Sequence, residues 1–204
     1  MMDRCRLIRV SSLPSLLAFA GSSRRDSVNR RLLANAVAIA QQSGALVTHI
    51  DLADFPMPLY DGDWEEAHGI PDAAKRLKSL MIAHDGFLIA SPEYNGSITP
   101  LLKNTIDWCS RAEQDNEPTL QAYDGKIAGL LAASPGALGG LRGLRHAREI
   151  LGNIGVYVAP AQYALSSAYE AFDDHGALKD SRAAKGVGRV VDQLLRLRVN
   201  VPRE

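Results

Sequence analysis

The sequence predicts an α/β protein, a three-layer sandwich in which a five-stranded parallel sheet of order 2-1-3-4-5 carries helices on both faces. Three observations lead there. Five short apolar runs alternate with apolar stripes at helical spacing, and parallel strands buried on both faces have that continuous apolar character. Parallel neighbours need crossover connections, which are right-handed and usually helical. The three most informative loops follow the first, third and fourth runs, at the carboxyl ends of strands that this order gathers around its switch point.

In chain order, Leu16 to Ala20 is the first strand and Gly21 ends it. Ser27 is placed to cap a helix whose stripe is Leu32, Leu33, Ala36, Val37 and Ala40, with Gly44 as its stop. Leu46 to Asp51 is the second strand. The Pro- and Asp-rich stretch from Phe55 to Asp63 is too broken for regular structure and reads as a surface loop. Pro71 suits a first helical position, and Ala74, Leu77, Leu80, Met81 and His84 trace the helix after it. Gly86 to Ala90 is the third strand. It runs into Ser91-Pro92-Glu93-Tyr94-Asn95-Gly96-Ser97, after which Pro100 opens a helix facing inward with Leu102, Ile106 and Cys109. Residues 111–123 form a polar connector and Asp124-Gly125 a turn. Lys126 to Ala133 is the fourth strand, followed by the loop from Ser134 to Gly140, a helix from about Leu141 to Leu151 and a short fifth strand near Val156 to Ala159. Asp180 caps a last helix with Val187, Val190, Val191, Leu194 and Leu197 on its apolar face.

At 204 residues the chain can bury a core that folds without metal or disulfide staples. One domain over residues 15–200 accounts for every element, preceded by residues 1–14 as a disordered extension without a function of its own. Arg4, Arg6 and Arg9 lie in that extension, yet the apolar core of a signal peptide is lacking. Lys plus Arg and Asp plus Glu number 23 each, so no basic field favours nucleic acid. No run approaches the roughly 20 apolar residues of a membrane helix. Cys5 and Cys109 show no CxxC spacing, which fits a reduced, cytoplasmic protein. His49, His68, His84, His146 and His175 are scattered without metal-ligand spacing, so no metal site is expected.

The loop from Gly21 to Asn29 offers hydroxyls, arginines and free backbone amides at a helix N-terminus, a combination suited to a phosphomonoester dianion. Arg24 and Arg25 at the positive end of a helix dipole would otherwise be mildly unfavourable, with Asp26 offsetting one of them. Competing phosphate motifs fail on inspection. There is no G-x-x-x-x-G-K-[ST], Gly136, Gly139 and Gly140 have the wrong spacing for G-x-G-x-x-G, and no G-x-S-x-G elbow occurs. Glu93 and Tyr94 read either as ligand contacts or as a solvated charge and a packing residue. Asn104, Asp107 and Trp108 suit helix packing or a subunit interface better than substrate contact. Arg142, Arg145 and Arg148 read as a solvated helix face, a nicotinamide-phosphate contact or a subunit contact.

Three segments together resemble the NADPH-dependent FMN reductase family, which includes bacterial quinone, chromate and azo-dye reductases. They are Gly21-Ser22-x-Arg24-x-x-Ser27-x-Asn29, then Ser91 to Ser97 with Pro100-Leu101-Leu102-Lys103-Asn104-x-Ile106-Asp107-Trp108, and Gly136-x-x-Gly139-Gly140-x-Arg142. The resemblance runs from about Leu16 to the last helix. It implies a flavodoxin-like fold, non-covalent FMN, NADPH or NADH as co-substrate, and a homodimer or homotetramer. By position it gives the FMN phosphate to Ser22, Arg24, Ser27 and Asn29. It gives the isoalloxazine to Pro92, Glu93, Tyr94, Asn95 and Gly96, largely through backbone amides, with Ser134, Pro135 and Gly136 closing the other side. The flavin accepts the hydride and the protein orients it, so no side chain is expected to act as general acid or base. The implied activity is transfer of hydride from NAD(P)H to bound FMN and of electrons onward to a quinone, flavin, azo compound or metal oxyanion such as chromate. The alternatives are a flavodoxin-like electron carrier and a flavin-binding redox sensor, neither with its own NAD(P)H site. Zero net charge and Arg24 weigh against the carrier, since flavodoxins are strongly acidic and have a Thr- and Gly-rich phosphate loop without arginine.

Overall fold

A computed structural model describes residues 13–200, with side chains to residue 197. The expectation of disorder for residues 1–14 lies outside the described residues up to residue 12. Pro14, at its end, already accepts a hydrogen bond from the Leu46 amide at 2.9 Å. The elements run β1 (Ser15–Ala20), α1 (Val28–Gln42), β2 (Leu46–His49), α2 (Gly62–His68), α3 (Asp72–Ala83), β3 (Gly86–Ala90), α4 (Pro100–Cys109), β4 (Ile127–Ala133), α5 (Leu141–Asn153), β5 (Tyr157–Leu165) and α6 (Ser181–Asn200).

All four strand pairings are parallel and the order is β2-β1-β3-β4-β5, as the sequence predicts. Every residue of β3 and β4 is buried, which is why those strands read as unbroken apolar runs. Side chains alternate between two cores. Leu16, Ala18, Leu88 and Leu131 meet α1 and α6 on one face, and Leu17, Phe19, Phe87 and Leu130 meet α3, α4 and α5 on the other. Helical caps follow the sequence closely. Ser27 accepts from the Arg30 amide, and Thr99 caps α4 with Pro100 at its first position.

Four differences have local causes. The second strand stops at His49 because Asp51 caps a 3-10 turn, Leu52–Asp54, through the Ala53 amide. The broken stretch after it ends in a helix, α2, where Asp61 accepts from the Asp63 and Trp64 amides. Pro71 stands one residue before α3, and His84 ends that helix with its ring on the Leu80 carbonyl and the Thr48 hydroxyl. The fifth strand reaches Leu165 after an irregularity in its register against β4, between Ala128 and Leu130. Arg148 fills that irregularity by donating to the carbonyls of Val158, Ala159 and Pro160.

The connector between α4 and β4 is fixed by a buried lysine. Lys78, 1% exposed, donates to the Arg111 carbonyl at 2.6 Å and pairs with Glu117, with Glu113 at 3.6 Å. Beside it the buried Cys109 thiol is pushed up to about 12 by desolvation, so it is an inert packing group.

Candidate functional site

The loops after β1, β3 and β4 converge on one cleft at the carboxyl edge of the sheet. Hydrogen bonds between the loops set its shape. The Thr99 hydroxyl donates to the Gly21 carbonyl at 2.7 Å while accepting from the Leu102 amide at 3.1 Å, so one buried side chain joins the first loop to the cap of α4. Asn29, 3% exposed, uses both ends of its amide on one residue: it donates to the Ala133 carbonyl and accepts from the Ala133 amide, each at 2.8 Å. That pair extends β4 by a side chain and fixes the start of α1 against the end of the fourth strand.

The first loop presents donors to the cleft. Ser22 and Ser27 are nearly buried at 6% and 5% exposure, and the Arg24 guanidinium has no partner among the described residues. The amides of Val28 and Asn29 open α1 without intrahelical acceptors, as the first amides of any helix do. Asp26 also lines the cleft, and no ion pair joins it to Arg24 or Arg25. The arrangement collects hydroxyls, a free guanidinium and a helix N-terminus, which is what a phosphate group requires.

The loop after β3 is a rigid turn. Tyr94 and Ser97 exchange amide-to-carbonyl bonds at 2.9 and 3.0 Å across Asn95 and Gly96, whose φ values are 51° and 84°. Both central residues are left-handed, the geometry that selects Asn-Gly. The Tyr94 amide is therefore occupied within the turn. The Glu93 side chain, 8% exposed, reaches α5: it pairs with Arg142 at 2.5 Å and accepts from the Gly143 amide at 3.0 Å. Burial alone would raise its pKa, but the Gly143 amide and the Arg142 guanidinium outweigh it and hold the carboxyl below its ordinary value. Gly140, which precedes α5 with φ 93°, has no side chain to cap the helix, and Glu93 fills that role from another loop.

Of the residues predicted from sequence, Ser22, Arg24, Ser27, Asn29, Pro92, Glu93, Tyr94, Ser134 and Pro135 line the cleft. Asn95, Gly96 and Gly136 stand outside its lining: the first two form the turn corner, and the Gly136 amide donates to the Ser134 hydroxyl at 3.2 Å. Tyr169, from the segment after β5, lines the cleft without having been predicted. The segment carries no periodicity or motif, and its one signal is its place after a strand at the sheet's carboxyl edge.

The family model described as NADPH-dependent FMN reductase matches residues 14–170. The chain belongs to the NADPH-dependent FMN reductase family. An NAD(P)H-dependent FMN reductase of Pseudomonas aeruginosa is 37% identical over 170 residues, covering 82% of this chain and 86% of that protein. A quinone reductase of Pseudomonas putida is 32% identical over 174 residues, covering 84% of this chain and 88% of its own length. Among solved structures, the flavoenzyme NAD(P)H:(acceptor) oxidoreductase of Paracoccus denitrificans matches with a TM-score of 0.78 at 25% identity, over 93% of this chain and 99% of that one.

In this FMN reductase fold the Lys103-Asn104-x-Ile106-Asp107-Trp108 segment packs. Asn104 accepts from the Tyr60 amide at 2.7 Å and donates to the Pro58 carbonyl at 2.9 Å, and the Trp108 indole donates to that same carbonyl at 2.8 Å. Tyr60 and Trp64 stand edge-on to the Trp108 ring. Asp107 pairs with Lys103 on the helix surface. The basic residues of α5 divide. Arg142 holds Glu93, Arg148 holds the β5 carbonyls, and Arg145 is exposed.

Proposed function

We propose that this chain takes hydride from NADPH or NADH onto non-covalently bound FMN and delivers the electrons to a small-molecule acceptor: a quinone, a free flavin, an azo compound or a metal oxyanion such as chromate. One observation carries the reading. Arg24, unpartnered among the described residues, the Ser22 and Ser27 hydroxyls and the open N-terminus of α1 share a cleft with the rigid Pro92 to Ser97 turn. Donors without protein acceptors fit the phosphate of FMN, and the turn offers a flat backbone surface for its ring.

FMN, when bound, supplies the hydride-accepting ring. This chain's residues bind and orient it. Ser22, Arg24 and Ser27, with the Val28 and Asn29 amides, hold the phosphate, while the Asn29 side chain keeps α1 at the right distance from β4. Pro92, Glu93 and Tyr94, with the Asn95-Gly96 corner fixing their turn, form the platform, and Ser134 and Pro135, with the Gly136 amide on the Ser134 hydroxyl, the other wall. No acid or base is assigned to a side chain. The matched relatives named FMN reductase and quinone reductase support this activity.

The reading includes a single FMN-binding domain over residues 15–200 and assembly as a homodimer or homotetramer. The two cysteines without pairing spacing support a cytoplasmic location. Among the described residues no helix is long and apolar enough to cross a membrane.

The test is anaerobic addition of NADPH, then NADH, to the FMN-loaded protein. The oxidised-flavin absorption is expected to disappear with at least one donor and to return on addition of a quinone. Persistence of the oxidised spectrum with both donors would overturn the reading.

A further inference from the structure

The geometry points to Tyr169 as a cofactor-contacting residue whose ring walls the phosphate-bearing arm of the bound flavin nucleotide. The inference rests on the FMN reading above and adds a contact from the segment after β5, which neither the motifs nor the strand pattern indicates.

The ring is held in place from its own backbone. Ala168 is fully buried, and its amide donates to the Ser134 carbonyl at 3.2 Å, which fastens the segment to the loop after β4. Ser167, just before it, takes φ 48°, a left-handed conformation that residues other than Gly, Asn and Asp seldom adopt. The Glu170 amide closes that turn on the Ser167 carbonyl at 3.1 Å. Between the buried Ala168 and the exposed Glu170, Tyr169 is left 65% exposed, and its phenol makes no hydrogen bond among the described residues.

Its side of the cleft follows from the neighbouring contacts. Beyond Tyr169 the chain runs to α1, where the Asn35 side chain donates to the Gly176 carbonyl at 2.8 Å and accepts from the Leu178 amide at 3.1 Å. The segment therefore spans from the loop after β4 to α1, and Tyr169 lines the same cleft as Ser22, Arg24 and Ser27 of the loop that leads into that helix. That is the phosphate end. Tyr157 is similarly exposed at 54% but starts the edge strand and does not line the cleft, so exposure alone does not single out Tyr169; its position does. A rigid aromatic ring beside donors for a phosphate can cover the carbon chain that joins that phosphate to the flavin ring, losing exposed apolar surface as it does so.

The experiment is titration of FMN into the full-length apoprotein, followed by quenching of flavin fluorescence, for the parent, Tyr169→Ala and Tyr169→Phe. Circular dichroism melts of the three apoproteins check that folding is equal. Tyr169→Ala is expected to raise the FMN dissociation constant about tenfold, the loss of one packed aromatic ring, with Tyr169→Phe within about twofold of the parent. Unchanged FMN affinity in Tyr169→Ala would overturn the inference, as would an equal loss in both variants, which would place the effect in the hydroxyl and not the ring. A parent protein that takes up no FMN would sink the functional reading itself, an outcome separate from either of these.

Discussion

Replacing Glu93 by alanine removes the cap that α5 borrows from the loop after β3. The carboxylate makes two kinds of contact, and their contributions differ. Arg142 is 61% exposed, so its ion pair with Glu93 contributes at the surface end of the range, about 0.2–1 kcal/mol. The Gly143 amide meets a carboxylate that is only 8% exposed, and a hydrogen bond with one charged partner in such a place contributes roughly 1.5–3 kcal/mol. Together the loss in Glu93→Ala should be about 2–4 kcal/mol, a fall in Tm of roughly 4–16 °C for a chain of this length. Glu93→Gln keeps an acceptor for Gly143 but not the charge, so it should lose about half as much. The pH dependence separates the cap from simple packing. Because the folded carboxyl is held below its unfolded value, its stabilisation is fully present above the ordinary carboxylate pKa and is lost as pH falls through the lower folded value. Thermal melts of the parent and Glu93→Ala should therefore differ at neutral pH and converge as the pH falls below the ordinary carboxylate range. Equal melting at neutral pH, or a gap unchanged by acid, would refute the assignment.

Two further outcomes follow from the same loops. Arg24→Ala should weaken FMN binding by roughly 10- to 100-fold, one charge-assisted phosphate contact, while the apoprotein melts as the parent does because the guanidinium has no partner among the described residues; equal FMN affinity by fluorescence titration would remove Arg24 from the phosphate end. Asn29→Ala leaves the Ala133 amide and carbonyl without their partner and should cost about 2–5 kcal/mol in urea unfolding, with a loss below about 0.5 kcal/mol contradicting the clamp.

The strands and their order were legible in the sequence because the central strands are buried on both faces and admit only apolar residues. The edge strand was read too short because Pro160, Gln162 and Tyr163 interrupt its apolar run, and only tertiary contacts continue it to Leu165. Helix α2 has no buried residue and hence no stripe; its one local signal was the Asp61 cap. Residues of the candidate site fell into two groups. Ser22, Arg24 and Ser27 could be placed because their chemistry is local to one loop at one helix start. The orientation of Glu93 could not, because its partners Arg142 and Gly143 lie 49 and 50 residues away. Tyr169 was invisible for the same reason: what makes it part of the cleft is the bond from Ala168 to Ser134, which no spacing announces.

The irregular stretch of β5 bears on how the folded protein behaves in a crowded solution. This strand closes one end of the sheet, where an unpaired ladder could accept a strand from another molecule. Along Val158 to Pro160 the carbonyls are already engaged by Arg148, Pro160 has no N–H, and the Ala161 amide donates to Gln193 at 2.6 Å. A passing β-strand would find four consecutive residues with little left to bond. The guanidinium and the proline thus act as a guard against edge-to-edge aggregation, a task separate from any chemistry in the cleft at the carboxyl ends of the strands.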